Sequence, residues 1–499
     1  MAADRATASS PRIPSQPAAI KGTIYLNQPT ASTKRPDAAF ALAANVERTR
    51  YENLPAKAIE VTKQDILDTL GCMIAGSTAE AAREVVELGR EFGGTPEASI
   101  VGFGDRLPSH MAAFINGTLG HALDLDDCHD KGITHVGPQT IAAALAVAES
   151  GRAGRVDGKT FIAAIAVGAD VIARMALATK IPLQQSGWMF SPLYGYFGAT
   201  AAASRILGLN QEQIINAFGI AYCQAAGNLQ VNIDDEHALT KRLQIGFGCK
   251  AGVMSSLLAC KGLTGARNSM EGRWGLYNLI HRGEYYREAL VDELGQRYEI
   301  ANISFKPYSC CRQIHAHIDA ALRLRQEHGL RPADIRAVTI FVNTDPHWLC
   351  DPLPLRRRPP SVVVAQFSIP YSVAVALHNG KVVIEDFNKP ARHPESVYQL
   401  ADRVTPRHDA SLPTRIIPPA RMEILTADGR RLTTEVVDAK GHPNNPLSWN
   451  ELAEKFRDCN LHSVHPLDSS AITRVVDTCR HLEDLDDIGK LAALVAPAH

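Results

Sequence analysis

The chain lacks an excess of charge of either sign. Among 499 residues, 52 lysines and arginines face 53 aspartates and glutamates, for a formal net charge of -1. That balance gives no chain-wide field for nucleic acid or an anionic membrane, so neither is expected as a partner, although a local basic pocket is compatible with it. Long apolar runs are also missing: none approaches the roughly 20 residues of a membrane span. The apolar stretch Phe161–Val171 is Ala-rich and interrupted by Asp170, with Arg174 just beyond. No apolar h-region opens the chain, so no secretory signal is expected. The ten cysteines show no paired spacing, and the adjacent Cys310 and Cys311 suit neither a disulfide nor a zinc knuckle. Reduced thiols in a cytoplasmic compartment are the expectation. No internal repeat stands out.

What is present is enough apolar sequence, 45%, to build a large core, in a chain long enough for roughly two to four domains. Residues 1–36 carry five basic residues and one acid among Ala, Ser, Thr and Pro. They read as a disordered arm, whose composition also fits a mitochondrial transit peptide. Residues 37–302 are helical in pattern. Thr62 looks like an N-cap for a helix stopped at Gly76, and further helical units cover Met111–Leu125, Gln139–Ala148, Lys159–Ala178, Pro192–Leu207, Gln211–Ala225 and Ala238–Ala259. Ala and Gly dominate them, which predicts close helix crossings. After Tyr298 the pattern changes. Arg336–Val342 reads as a strand, and Arg421–Leu425 with Arg431–Val436 around Asp428-Gly429 as a hairpin. The expected organisation is a mainly α fold, with a large all-helical domain, an inserted α/β lid at 303–438, and C-terminal helices at 439–499 returning to the first domain. The Pro-rich stretch 352–360 is expected to be an exposed loop.

The stretch from His121 to Pro138 draws attention because Asp124, Asp126, Asp127, His129 and His135 fall within it. As a helix it would put Asp124 and Asp127 on one face and turn Asp126 elsewhere. Such a cluster can move protons; it also fits a solvated acidic helix end. Asp124, Asp127, His129 and His135 could instead hold a divalent cation, but without a recognised ligand spacing. A second feature, Lys241-Arg242, opens a helix, where cations are disfavoured unless an anion compensates. Surface acids at Asp234–Glu236 or a substrate carboxylate could do so. A third, Lys306 to His315, lies where the helical pattern gives way; Arg312 and His315, three apart, would share a helical face. Tyr371, in Gln366–Tyr371, is the fourth, a residue type more often used for packing.

With these motifs in order, together with Leu67–Cys72, Gly187-Trp188, Gly262–Gly265 and Glu271-Gly272, the chain resembles the MmgE/PrpD family. The resemblance implies a homodimer acting on a small di- or tricarboxylate at carbon next to a carboxyl group, with no metal or organic cofactor. It places Asp124, His135, Lys241 and Tyr371 at catalytic positions, and Cys128, His129, Met189, Arg242, Cys311, Arg312 and His315 along the substrate. Met189 and Cys311 stand where cis-aconitate decarboxylases of the family carry histidines. That departure turns the expectation toward dehydration or epimerisation, with decarboxylation or a catalytically inactive carboxylate-binding relative as alternatives. The residue types fit independently: lysine and arginine can hold carboxylates, and an imidazole with a phenol can manage the proton and the developing enolate-like charge.

Overall fold

The close crossings expected from Ala and Gly are realised. Helices α1 (Ala38–Arg48), α2 (Ala56–Gly76), α3 (Ser109–His121), α4 (Gly137–Glu149), α5 (Gly158–Leu177), α6 (Phe190–Ile206), α7 (Gln211–Tyr222) and α8 (Thr240–Cys260) share one core. Helix α8 packs against both α3 and α6, and glycine permits each crossing. A Cβ on Gly246 would lie 2.4 Å from the Phe114 carbonyl oxygen, and one on Gly252 would lie 2.6 Å from the Ala199 Cβ. The computed structural model describes residues 35–232, 239–344, 347–388, 392–413 and 415–496. Nearly all of the expected arm, and the acids Asp234–Glu236, lie outside the described residues.

Several boundaries move from the sequence expectation. Helix α2 starts after Pro55, not at Thr62, whose hydroxyl donates back to the Ala58 carbonyl at 2.6 Å. Proline just ahead of a helix start lets it begin earlier. Helix α3 ends at His121 because Asp124 takes a left-handed backbone, φ 53°, a conformation that Asp tolerates better than most residues. Stretch 352–360 is less free than a loop. It holds a helical turn at Leu353–Arg357; Arg357 donates to the Val404 carbonyl at 2.6 Å, and Arg358 pairs with Glu395 and Asp402.

A second core spans Cys310 to Ala439. Strands β1 (Ile335–Val342), β2 (Val404–His408), β3 (Ala420–Thr426) and β4 (Arg431–Val436) form a sheet of order β2-β1-β3-β4. β1 is parallel to β2 and antiparallel to β3, and β3 pairs antiparallel with β4. Val338, Ile340 and Val342 alternate inward on β1, as do Met422 and Ile424 on β3, giving the sheet one apolar face. Helix α9 (His315–His328) packs on β3 and β4, and α10 (Ile369–Asn379) packs on α9. The last long helices, α11 (Trp449–Leu461) and α12 (Ser469–Arg480), pack against α2 and belong to the first core.

Among the described residues two helices, α5 and α8, are long and apolar enough to cross a membrane by length and composition, which corrects the expectation that no run reaches that length; 89% and 56% of their most apolar windows are buried within the fold. In α5 the interrupting charges pair with each other, Arg174 Nε donating to Asp170 at 2.7 Å with both side chains buried. All ten cysteines are free thiols.

Candidate active site

Where α3 ends, the left-handed turn at Asp124 folds the chain back so that Asp126 meets the last residue of the helix. His121 Nδ1 lies 2.9 Å from Asp126 Oδ2, and His135 Nδ1 lies 3.0 Å from the same oxygen. Asp126 is therefore the hub of the segment, contrary to the helical reading that turned it aside. That reading fails because the helix stops before it. Asp127 does not share a face with Asp124; its carboxylate accepts from the Val136 and Gly137 amides at 3.0 and 2.8 Å and caps α4. The Asp127 carbonyl also takes His135 Nδ1 at 2.7 Å. With Nδ1 held by two acceptors, Nε2 of His135 is the nitrogen available to a ligand.

Lys241 joins this group from the first turn of α8. Its Nζ lies 3.0 Å from His121 Nε2 and 3.5 Å from Asp124 Oδ2, so Asp124 is the anion that the cation at a helix start calls for. Asp124 also meets the buried Lys306, whose Nζ lies 2.5 Å from its Oδ1 and 2.9 Å from its carbonyl. The Phe367 ring faces Lys241, with Nζ 5.8 Å from its centroid. Only His135 and Lys241 in the cluster keep appreciable side-chain exposure, 15% and 13%. The cluster is buried with one edge open.

Electrostatics separate the roles. Burial opposes charge on Asp124, but Lys241 and Lys306 outweigh it and hold the carboxyl well below the usual range. Burial likewise opposes charge on Asp126, and there His121 and His135 prevail. Burial pulls His121 down to about 4 against the pull of Asp126, so its imidazole is neutral near pH 7, donating from Nδ1 and accepting from Lys241 at Nε2. Behind the site, burial and the neighbouring Asp126 push Asp127 up to about 6. Buried Asp65 is raised well above its ordinary value by burial first and Asp127 second.

The other expected site residues are spread more widely. Cys311 enters the field of Asp124; burial first, then that carboxylate, push its thiol up to about 11, and its amide donates to the Gln366 carbonyl at 2.9 Å. Met189 is half-buried at the N-cap of α6, two residues before Ser191, whose hydroxyl accepts the His135 amide at 3.1 Å. Cys128 is buried, its backbone paired with Ser304. His129 is held by Glu299 at 3.3 Å and by the Gly132 amide at 3.0 Å. Arg242 is committed to Glu80, donating to its carbonyl at 2.7 Å. Arg312 sits at the start of a 3₁₀ turn, with Nε 3.4 Å from Asp130 and Nη1 3.4 Å from His315 Nδ1. Tyr371 is fully buried in the second core; its hydroxyl donates to the Asp386 carbonyl, and its ring packs with Phe387, His393 and Tyr398. Position three of α10, behind the Ser368 cap, turns the phenol inward, and Phe367 reaches Lys241 instead.

Among the described residues, the only cluster able to offer a metal three ligands is His121, Asp126 and His135, whose ligand atoms lie within 4.8 Å of one another. The set suggested by sequence is dispersed: Asp124 faces lysines, Asp127 caps a helix, and His129 meets Glu299. Sequence reasoning gave no role to His121, Asp126 or Lys306. The signal for Lys306 was a lone lysine inside the apolar run Ile303–Tyr308.

A helical bundle that gathers two lysines, two imidazoles and two ionised carboxylates, with His135 and Lys241 at its open edge, can hold an anion and move a proton. Family models agree: the MmgE/PrpD N-terminal domain matches residues 41–289 and the MmgE/PrpD C-terminal domain residues 308–481, and the chain belongs to the MmgE/PrpD family. It is 26% identical to a cis-aconitate decarboxylase-like protein of Aspergillus oryzae, over 94% of this chain and 99% of the relative. The cis-aconitate decarboxylase of Homo sapiens is 25% identical over 91% and 94%. The 2-methylcitrate dehydratase of Cupriavidus necator is also 25% identical, over 89% and 94%.

Proposed function

We propose that the protein is a lyase that removes water from a small hydroxy di- or tricarboxylate, without metal or organic cofactor. His135 moves the proton at the carbon next to a carboxylate, and Lys241 holds that carboxylate. The observation carrying this reading is the unequal pair of imidazoles on Asp126: His121 has both nitrogens engaged, whereas His135 presents Nε2 at the open edge. In the elimination, His135 Nε2 takes the proton from carbon and the C–H pair becomes the new C=C bond. Negative charge building on the adjacent carboxylate is met by Lys241. The imidazolium so formed is stabilised by Asp126 and gives the same proton to the hydroxyl, which departs as water. Asp124 and Lys306 fix the Lys241 ammonium from behind.

Met189 and Cys311, standing where the resemblance to cis-aconitate decarboxylases implies histidines, support dehydration over decarboxylation, because neither group supplies a proton donor or a carboxylate partner of imidazole strength. Decarboxylation is the second reading, favoured by the names of the relatives; His135 would then deliver the proton after loss of carbon dioxide. We further read the sheet-bearing second core as a lid over the helical part, in a cytoplasmic homodimer. The apolar side chains Phe247 and Met254, exposed on α8, support a covered face there. Purified protein incubated with 2-methylcitrate, citrate and cis-aconitate, followed by proton NMR, tests the reaction. Water loss from a hydroxy acid is expected. Release of carbon dioxide from cis-aconitate as the fastest reaction would overturn it in favour of the second reading, and no turnover of any of the three would favour an inactive carboxylate-binding relative.

A further inference from the structure

Arg312, left out of the cluster around Lys241, lines a separate cavity of about 360 Å³ with Lys131, Ile416, Ile417, Pro418 and Val437. None of His121, Asp124, Asp126, His135, Lys241 and Lys306 borders this cavity. Arg312 is 4% exposed. Its Nε faces Asp130 and its Nη1 donates to the Lys440 carbonyl at 3.0 Å, but Nη2 is buried with no partner among the described residues. A buried N–H of a cation is costly to leave unpaired, so the guanidinium is short of one acceptor.

Neither acid of the cavity accepts from that nitrogen, and both have other partners. Asp130 accepts the Ser304 hydroxyl at 2.9 Å besides facing Arg312. Asp438 accepts from Asn444 at 3.0 Å and faces Arg415 and His442, each at 3.6 Å. Burial keeps His442 below its ordinary value, hence uncharged near pH 7. Lys131, Arg312 and Arg415 then face two carboxylates, which leaves the cavity cationic. Its remaining wall is apolar.

We propose that this cavity binds a small organic carboxylate with an apolar tail, the carboxylate pairing with the Arg312 guanidinium and the tail packing on Ile416, Ile417 and Val437. Inorganic phosphate offers nothing to the apolar wall and should bind less well. Titration calorimetry of the full chain with hexanoate, citrate and inorganic phosphate tests this. Hexanoate should bind saturably and more tightly than phosphate. Arg312→Met should weaken it by about tenfold or more, the loss expected for one hydrogen bond to a charged group. Ile417→Asp, which keeps the arginine, should weaken it too, and Lys241→Met should leave it unchanged. The proposal is overturned if hexanoate fails to bind, if its binding survives Ile417→Asp, or if phosphate binds as tightly. Loss of hexanoate binding in Lys241→Met would also overturn it, by placing the ligand at the reaction centre.

Discussion

The rings of His121 and His135 meet edge to face, with centroids 4.8 Å apart and planes at 68°, because a single oxygen of Asp126 holds the Nδ1 of both. One imidazole is locked and uncharged by burial, and the other faces the open edge. Asp126 and the Asp127 carbonyl thereby hold His135 at Nδ1 and leave Nε2 toward that edge.

Lys241→Met should leave the fold standing and reduce turnover by about 10²–10³, the range for removing one fixed group that stabilises developing charge. The thioether keeps the apolar stem against Phe367, while Lys306 still neutralises Asp124. Steady-state kinetics with a melting curve checks this. A variant that melts within a few degrees of wild type yet retains near wild-type turnover would remove Lys241 from the site.

Much of the fold was legible in the sequence because its signals are local. The β-branched run Arg336–Val342 and the Asp428-Gly429 hairpin each encode their own geometry. The Gly246 and Gly252 positions in α8 announced close crossings. The site was less legible. Asp126 became central only because one left-handed residue, Asp124, breaks the helix register that sequence reasoning extended to Leu125. Lys306 and Asp124 are 182 residues apart, and no local pattern reports such a pairing. Tyr371 shows the converse: a motif position was recognisable, but the rotation of α10 that buries the phenol is set by tertiary packing.

Gly252→Val should destabilise the protein by about 1–3 kcal/mol or more, as overpacking at a tight crossing does. Its Cβ would lie 2.6 Å from the Ala199 Cβ and 2.8 Å from the Thr200 nitrogen, so α8 and α6 must separate. Chemical denaturation measures the change. An unaltered midpoint would contradict the close crossing.

Removing a buried histidine should change how stability depends on pH. His317 is buried and held at about 4, by burial first and His347 second, against about 6.5 in an unfolded chain. Between those values the unfolded chain binds a proton that the folded chain does not, so the histidine lowers stability as pH falls from about 6.5 to about 4. The stability of His317→Leu relative to wild type should therefore rise through that window as pH is lowered, and parallel curves would refute the shift.

Chelation should leave activity intact. The three atoms that could bind a cation are already within hydrogen-bonding distance of one another through Asp126, and the ammonium groups of Lys241 and Lys306 flank Asp124 beside them. A divalent ion there would face two fixed cations. Turnover measured after dialysis against EDTA should match the untreated enzyme; loss restored by one added metal would contradict this.

The most direct test of the central claim is the loss of hydrogen from the carbon next to a carboxylate and its dependence on His135. With a hydroxy acid deuterated at that carbon, NMR of the unsaturated acid formed by the wild-type enzyme should show one deuterium fewer there. His135→Gln should lower the rate of that water loss by about 10²–10⁴, the range for removing a general acid or base, while binding of the same acid by calorimetry stays within a few-fold. Water loss at wild-type rate in His135→Gln, or a product that retains every deuterium at that carbon, would contradict the account.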